Sequence, residues 1–135
     1  MSFEWNEDFA TGTAEIDNQH KEIFNLFNTL LEAMDEGKGK KEIDRIVKFL
    51  EQYIKTHFHN EEKFMLERAY DGYLRQRAEH TQFIKCFYRL KIELIRCGTT
   101  LHLVVQTAQQ LGNWLADHIK IEDKRMAAVL RKNSG

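Results

Sequence analysis

The sequence predicts an all-α protein, an antiparallel up-down-up-down four-helix bundle with an N-terminal arm. Three observations lead to this prediction. The 135 residues contain no proline, four long stretches carry apolar residues at spacings of three and four, and short glycine-containing segments separate these stretches. Because short connections place consecutive helices antiparallel, we expect the four apolar faces to enclose one core, so that residues 1–135 form a single domain.

Glycines mark where the predicted helices end. The breaks contain Gly37, Gly72 and Gly98. They leave four predicted helices, at 17–36, 40–67, 72–96 and 100–131. Residues 1–15 have no helical periodicity but contain three aromatic residues, so we expect an arm that packs against the bundle formed by 16–131.

Composition excludes several classes of partner. Lys and Arg total 20 and Asp and Glu total 21, which gives a formal net charge of −1 and no basic excess for nucleic acid. The apolar runs are far shorter than the roughly 18 residues of a membrane span, and the first residues do not resemble a secretory signal. We therefore expect a cytoplasmic protein with no nucleic-acid or membrane partner, and the sequence indicates no particular partner protein.

Two cysteines are too few for a disulfide-stapled scaffold. Cys86 and Cys97 lie 11 residues apart at the end of the third predicted helix, which is about 16 Å at the α-helical rise and beyond the reach of a disulfide. Both are expected to be free thiols.

Polar residues interrupt the apolar stripe of every predicted helix. They are His20, His57, Glu61, Gln76, His80, His118 and either Glu122 or Asp123. An unpartnered buried polar group costs about 1–3 kcal/mol, and a buried carboxylate costs more, so these groups need a common partner. In antiparallel helices they all fall toward the same end of the bundle, which predicts one metal site. A metal-free scaffold would require that they satisfy one another.

Helical geometry separates the candidate ligands from their neighbours. At about 100° per residue, His59 points away from His57, and His102 points away from His118, so neither is expected to be a ligand. On the fourth helix the same geometry favours Glu122, four residues after His118.

The ligand types narrow the choice of metal. Imidazoles with two carboxylates and no thiolate fit iron, manganese or zinc, and the two carboxylates could bridge two ions. No histidine has a glutamate three residues before it, which disfavours a ferritin-type site. The sequence also lacks a His-Glu-x-x-His motif, a glycine-rich phosphate loop and a convincing Ser/His/Asp arrangement, so hydrolase and nucleotide-binding functions are not expected.

Taken together, these motifs resemble bacterial hemerythrin-like domains over essentially the whole chain. The resemblance rests on Trp5, Gly12, Ile16-Asp17-Asn18-Gln19-His20, His57-x-x-x-Glu61-Glu62, the His80 segment and His118-x-x-x-x-Asp123. It implies a non-haem di-iron centre, bridged by oxide or hydroxide, at which dioxygen binds end-on to one ferrous ion and is held as hydroperoxide. Small anions such as azide would bind at the same open position.

The resemblance also implies a role for each matched residue. His20 and His57 would hold the iron with the open position, His80 and His118 would hold the other, and Glu61 and Asp123 would bridge them. A bridging Asp123 in place of Glu122 requires a local distortion of the helix, such as a π-bulge. The family pattern has a histidine where this chain has Gln76, which is expected to be a weak ligand or to leave a vacancy.

Oxygen binding, whether for carriage, storage, delivery or sensing, is therefore favoured over an enzyme, and a sensor would need an attached signalling domain or partner. A dry wall around the bound oxygen would be formed by Ile23, Phe24, Phe27, Trp114, Leu115 and Ile119. The alternative is an oxidase or peroxidase-like enzyme, because Gln76 would open the second iron site.

Overall fold

The computed structural model describes residues 3–96 and 101–134. Its α-helices are α1 (Ala14–Asp35), α2 (Lys40–Glu67), α3 (Tyr73–Ile95), α4 (Leu101–His118) and α5 (Lys124–Ser134). A short 3-10 helix (Glu7–Phe9) precedes α1, and a π-helical segment (Ile119–Asp123) joins α4 to α5. Consecutive helices pack against each other, and α4 returns to α1. Within the described residues there is no strand. The predicted all-α four-helix bundle is confirmed.

The helix boundaries agree with the glycine breaks, with two differences. Helix α1 begins at Ala14, so the arm is shorter than predicted. The carboxylate of Asp17, in the first turn of α1, accepts hydrogen bonds from the backbone and hydroxyl of Thr11 at 2.9 and 2.8 Å, which brings the chain into the helix early. The predicted single helix at 100–131 is divided by the π-helical segment. The predicted break around Gly98 lies outside the described residues.

The apolar core fills the bundle as the periodicity predicts. Every member of the α1 stripe is buried, including Ile16, His20, Ile23, Phe27, Leu30 and Met34. Burying a large apolar side chain is worth about 1.5–3 kcal/mol, so this stripe and its counterparts stabilise the helix packing that positions the polar residues.

The arm packs on the bundle, as expected. The ring of Phe3 lies 6.1 and 5.9 Å from those of Phe24 and Phe27, and Asn28 exchanges two hydrogen bonds with the Phe3 backbone. The Phe3 ring rests directly on Gly112 of α4, where any added Cβ atom would overlap it. The arm therefore closes the bundle over α1 and α4.

No helix in the described ranges has both the length and the apolar character that crossing a membrane requires. Cys86 is exposed and is a free thiol. Cys97 lies outside the described residues.

Candidate metal centre

Helices α1 to α4 and the π-helical segment contribute polar side chains to one buried cluster. Helix α1 supplies His20, α2 supplies His57 and Glu61, α3 supplies Gln76 and His80, α4 supplies His118, and the π-helical segment supplies Asp123. All seven are at most 4% exposed. The antiparallel order of the helices brings them to one depth, so the structure contains the single cluster that the sequence predicts.

Two carboxylates lie between two pairs of histidines. Glu61 Oε2 is 3.2 Å from the Nε2 atoms of both His20 and His57, whereas its Oε1 is 3.3 Å from His80 Nε2. Asp123 Oδ2 is 3.2 Å from His20 Nε2, and its Oδ1 is 3.4 Å from His118 Nε2. Each carboxylate thus directs one oxygen to each pair, which is the arrangement that two bridged cations require.

Besides His20 Nδ1, four buried atoms of this cluster have no hydrogen-bond partner, although several lie close to an oppositely charged group. They are Glu61 Oε1, Gln76 Oε1, His80 Nε2 and His118 Nε2. Buried polar atoms without partners are rare in folded proteins, and unpartnered atoms that converge on one point indicate a missing ligand. Two overlapping sets of these side chains have donor atoms close enough to hold a cation, Glu61 with His80, His118 and Asp123, and His20 with His57 and Glu61. The donor set therefore fits two ions.

Comparison with known proteins agrees with this geometry. The family model described as the hemerythrin HHE cation binding domain matches residues 11–130. This chain belongs to the hemerythrin family. It is 30% identical over 127 residues to a bacteriohemerythrin of Pseudomonas paraeruginosa, covering 94% of this chain and 80% of the relative. It is 27% identical over 126 residues to a bacteriohemerythrin of Clostridium acetobutylicum, covering 90% and 96%.

A crystal structure of wild-type hemerythrin superimposes with a TM-score of 0.81 at 26% identity, covering 95% of this chain and 97% of that one. Hemerythrins bind dioxygen at a non-haem di-iron centre, and the function of this chain at the level of the family is that of a di-iron oxygen-binding protein.

The π-helical segment decides which acidic residue of this chain faces the cluster. The wider turn brings Asp123 into line with His118, five residues earlier. Glu122 turns outward, where its carboxylate accepts hydrogen bonds from Arg75 Nε at 2.7 Å and Arg125 Nη1 at 3.3 Å. Regular helix geometry favours Glu122, but the structure places Asp123 in the cluster because the helix is distorted at this point.

Gln76 lies within the cluster and is fully buried. Its Nε2 donates a 2.9 Å hydrogen bond to Asp123 Oδ1, and its Oε1 is one of the unpartnered atoms. The amide therefore occupies the side of the cluster next to His80 and His118. His59 and His102 are exposed and belong to neither set of possible metal-binding side chains, as the helical geometry predicts.

Charges within the cluster support one another despite their burial. Burial opposes a charge on His20, but hydrogen bonds to Asp123 and Glu61 raise its pKa from 6.5 to about 10. The pKa of His80 is raised to about 9, again against the effect of burial and chiefly through Glu61. Burial alone would raise the pKa of Glu61, but the charge of His57 and hydrogen bonds from the surrounding imidazoles hold that pKa well below 4.5.

The residues expected to form a dry wall fall into two groups. Five of them are buried, namely Ile23, Phe24, Phe27, Leu115 and Ile119. Trp114 is only half-buried, and its indole stacks on the His118 ring at 5.2 Å with an interplanar angle of 7°. Trp114 thus covers the outer side of one imidazole, whereas the other five line the core.

Sequence reasoning missed the residues that hydrogen-bond the outer nitrogens of the histidines, that is, the Nδ1 atoms that do not face the two carboxylates. Gln19, Glu62 and Glu79 accept hydrogen bonds from the Nδ1 atoms of His57, His80 and His118, at 2.5, 2.9 and 3.0 Å. These bonds direct each Nε2 toward the carboxylates. The available signal was adjacency, because each of the three stands next to a cluster residue in the chain.

Proposed function

We propose that this protein binds dioxygen reversibly at a di-iron centre. The ligands would be His20, His57, Glu61, His80, His118 and Asp123. When bound, the ferrous ions supply the electrons that reduce dioxygen. The observation that carries the proposal is the division of the Glu61 and Asp123 oxygens between two histidine pairs.

The protein contributes position, charge and exclusion of water. His20 and His57 would hold the ion with the open position, while Glu61 and Asp123 would neutralise both ions and fix their separation. Ile23 and Leu115, whose side chains are buried, would belong to an apolar wall beside these ligands. Such a wall keeps water and protons from the reduced oxygen and so slows its loss. Small anions such as azide would compete for the same open position.

Gln76 supports a second candidate function, that of an oxidase or peroxidase-like enzyme. Its amide oxygen is a weaker ligand than imidazole, and its Nε2 already donates to Asp123. A second ion with only two imidazoles would be more accessible and would be oxidised faster. Oxygen storage would then be short-lived, and turnover with a reductant would be favoured.

The optical spectrum of the iron-loaded protein tests oxygen binding. Protein loaded anaerobically with two ferrous ions and then exposed to oxygen should develop the charge-transfer bands of a bridged diferric centre, and removal of oxygen should reverse them. Azide should perturb the oxidised bands by occupying the open position. A colourless protein that holds stoichiometric zinc and accepts no iron would contradict the proposal.

The autoxidation rate of the variant Gln76→His, compared with that of the wild type, distinguishes oxygen storage from an enzymatic function. Stopped-flow measurements should show that the histidine variant keeps its oxygen longer than the wild type, because a third imidazole would occupy the open coordination position of the second ion. Gln82→His is a matched control, since residue 82 is exposed on the same helix. Equal lifetimes in the wild type and Gln76→His would show that Gln76 does not control autoxidation.

A further inference from the structure

Three outer hydrogen bonds follow one rule along the bundle. A residue next to a cluster ligand on one helix holds the histidine of the following helix: Gln19 of α1 holds His57, Glu62 of α2 holds His80, and Glu79 of α3 holds His118. His20 lies on α1, the first helix of the bundle, and its Nδ1 has no hydrogen-bond partner.

This rule gives the two histidine pairs different electrostatic environments. The outer nitrogen of His20 has no hydrogen-bond partner, and the outer nitrogen of His57 bonds to the neutral amide of Gln19. The outer nitrogens of His80 and His118 both donate to carboxylates. A carboxylate on the outer nitrogen makes an imidazole a more basic ligand, whereas an amide orients the ring without adding charge. Of the two histidine pairs, only His80 and His118, the pair beside Gln76, therefore have acidic partners on their outer nitrogens.

We propose that Glu62 and Glu79 are positioning residues that strengthen His80 and His118 as metal ligands and thereby compensate the second metal position for the weak ligand Gln76. The proposal rests on the proposed function, because it takes these histidines as ligands. The side chains of both glutamates are partly buried, with 22% and 34% of their surface exposed. The hydrogen bonds to His80 and His118 account for the positions of the two carboxylates.

Replacing each glutamate by glutamine separates charge from geometry. The amide oxygen of Glu62→Gln or Glu79→Gln can still accept the Nδ1 hydrogen bond, so the imidazole keeps its orientation and loses only the neighbouring charge. Glu67→Gln removes one charge from the same end of α2 at an exposed ion pair with Lys63 and serves as the matched control.

Calorimetric titration with zinc chloride measures the effect directly and needs neither iron nor oxygen. The wild type should bind two zinc ions. Each glutamine variant should weaken one of them by about 10–100-fold and leave the other unchanged, whereas Glu67→Gln should match the wild type. Long-range proton–nitrogen spectra should show that His80 or His118 releases the zinc. Adding Gln76→His to the Glu62→Gln, Glu79→Gln double variant should restore the second affinity.

The outcomes distinguish the two proposals. A wild type that fails to bind two ions would contradict the ligand assignment and with it this inference. Two ions bound with unchanged affinity in both glutamine variants would overturn the inference alone. A purely structural role predicts that both zinc affinities fall together with the unfolding temperature of the metal-free variants. That result, or a lack of rescue by Gln76→His, would also reject compensation.

Discussion

Asp123 and Glu122 are neighbours in the chain and are both buried, at 1% and 6% exposure, yet their side chains have different partners. Asp123 is surrounded by imidazoles, whereas Glu122 pairs with Arg75 on α3 and with Arg125 on α5. Burial alone therefore does not identify the candidate ligand, since a buried carboxylate is stable beside any cation. The arginines explain how a second acidic residue is accommodated next to the site without entering it.

The two acidic residues should respond differently to loss of charge. Asp123→Asn should abolish binding of two zinc ions, because an amide cannot direct a charged oxygen to each histidine pair. Glu122→Gln should keep both ions and change the free energy of unfolding by about 1 kcal/mol or less, the usual range for partly exposed ion pairs. Metal analysis and thermal unfolding measure both effects. Loss of metal in Glu122→Gln alone would reverse the assignment.

Single residues also show how far sequence reasoning reaches. The inward position of His57 and Glu61 follows from a spacing of four, and the outward position of His59 follows from a spacing of two. The outward turn of Glu122 could not be predicted in this way. It depends on Arg75, which is 47 positions away in the chain and becomes a neighbour only when the helices pack.

At the scale of elements, the π-helical segment acts as a one-residue insertion in the last helix. Before it, α4 presents Leu111 and Leu115 to the core, and after it, α5 presents Met126. The extra residue changes the helical phase once, so that Asp123 faces inward beside His118. Periodicity predicts helix at this point and gives no sign of the phase change, because the residues Ile119–Asp123 have no breaker among them.

Changing the length of the π-helical segment tests its role. Deletion of Ile121, which is 56% exposed, would leave Asp123 four residues after His118, the spacing that a regular α-helix puts on one face. This variant should fold and still bind two zinc ions. Insertion of one alanine after Ile121 should rotate Asp123 out of the cluster and abolish binding of two ions. Retention of both ions after the insertion would show that this register does not position the site.

At the scale of the whole molecule, internal ion pairs stabilise the polar cluster in the absence of metal. Burial and the charge of Glu61 both oppose ionisation of Asp123, yet its pKa is lowered, because His118 and His20 donate hydrogen bonds to it. The pKa of His118 is raised in turn, against the effect of burial, chiefly by Asp123. The bundle therefore holds protons in its core that bound cations would have to displace.

These pKa shifts predict how the stability of the metal-free protein depends on pH. The pKa values of His20 and His80 rise from 6.5 to about 10 and about 9. The stabilisation that these histidines give the folded protein is complete below pH 6.5, where they are protonated in both the folded and the unfolded state. It is lost as the pH rises through about 9 and about 10. The lowered pKa values of Glu61 and Asp123 act in the opposite sense, since their stabilisation is lost in acid. Stability should therefore fall from about pH 6.5 toward alkaline pH.

Thermal or denaturant unfolding in the presence of a chelator measures this slope. Each histidine with a raised pKa contributes up to about 1.4 kcal/mol per pH unit above 6.5, so His80→Gln should flatten the slope by about that amount. His59→Gln serves as the matched control, because this imidazole is exposed and belongs to neither set of possible metal-binding side chains. Zinc should reverse the trend, since the ions bind deprotonated imidazole and their affinity rises with pH. A metal-free protein that gains stability between about pH 7 and about pH 9 would contradict the internal ion pairs.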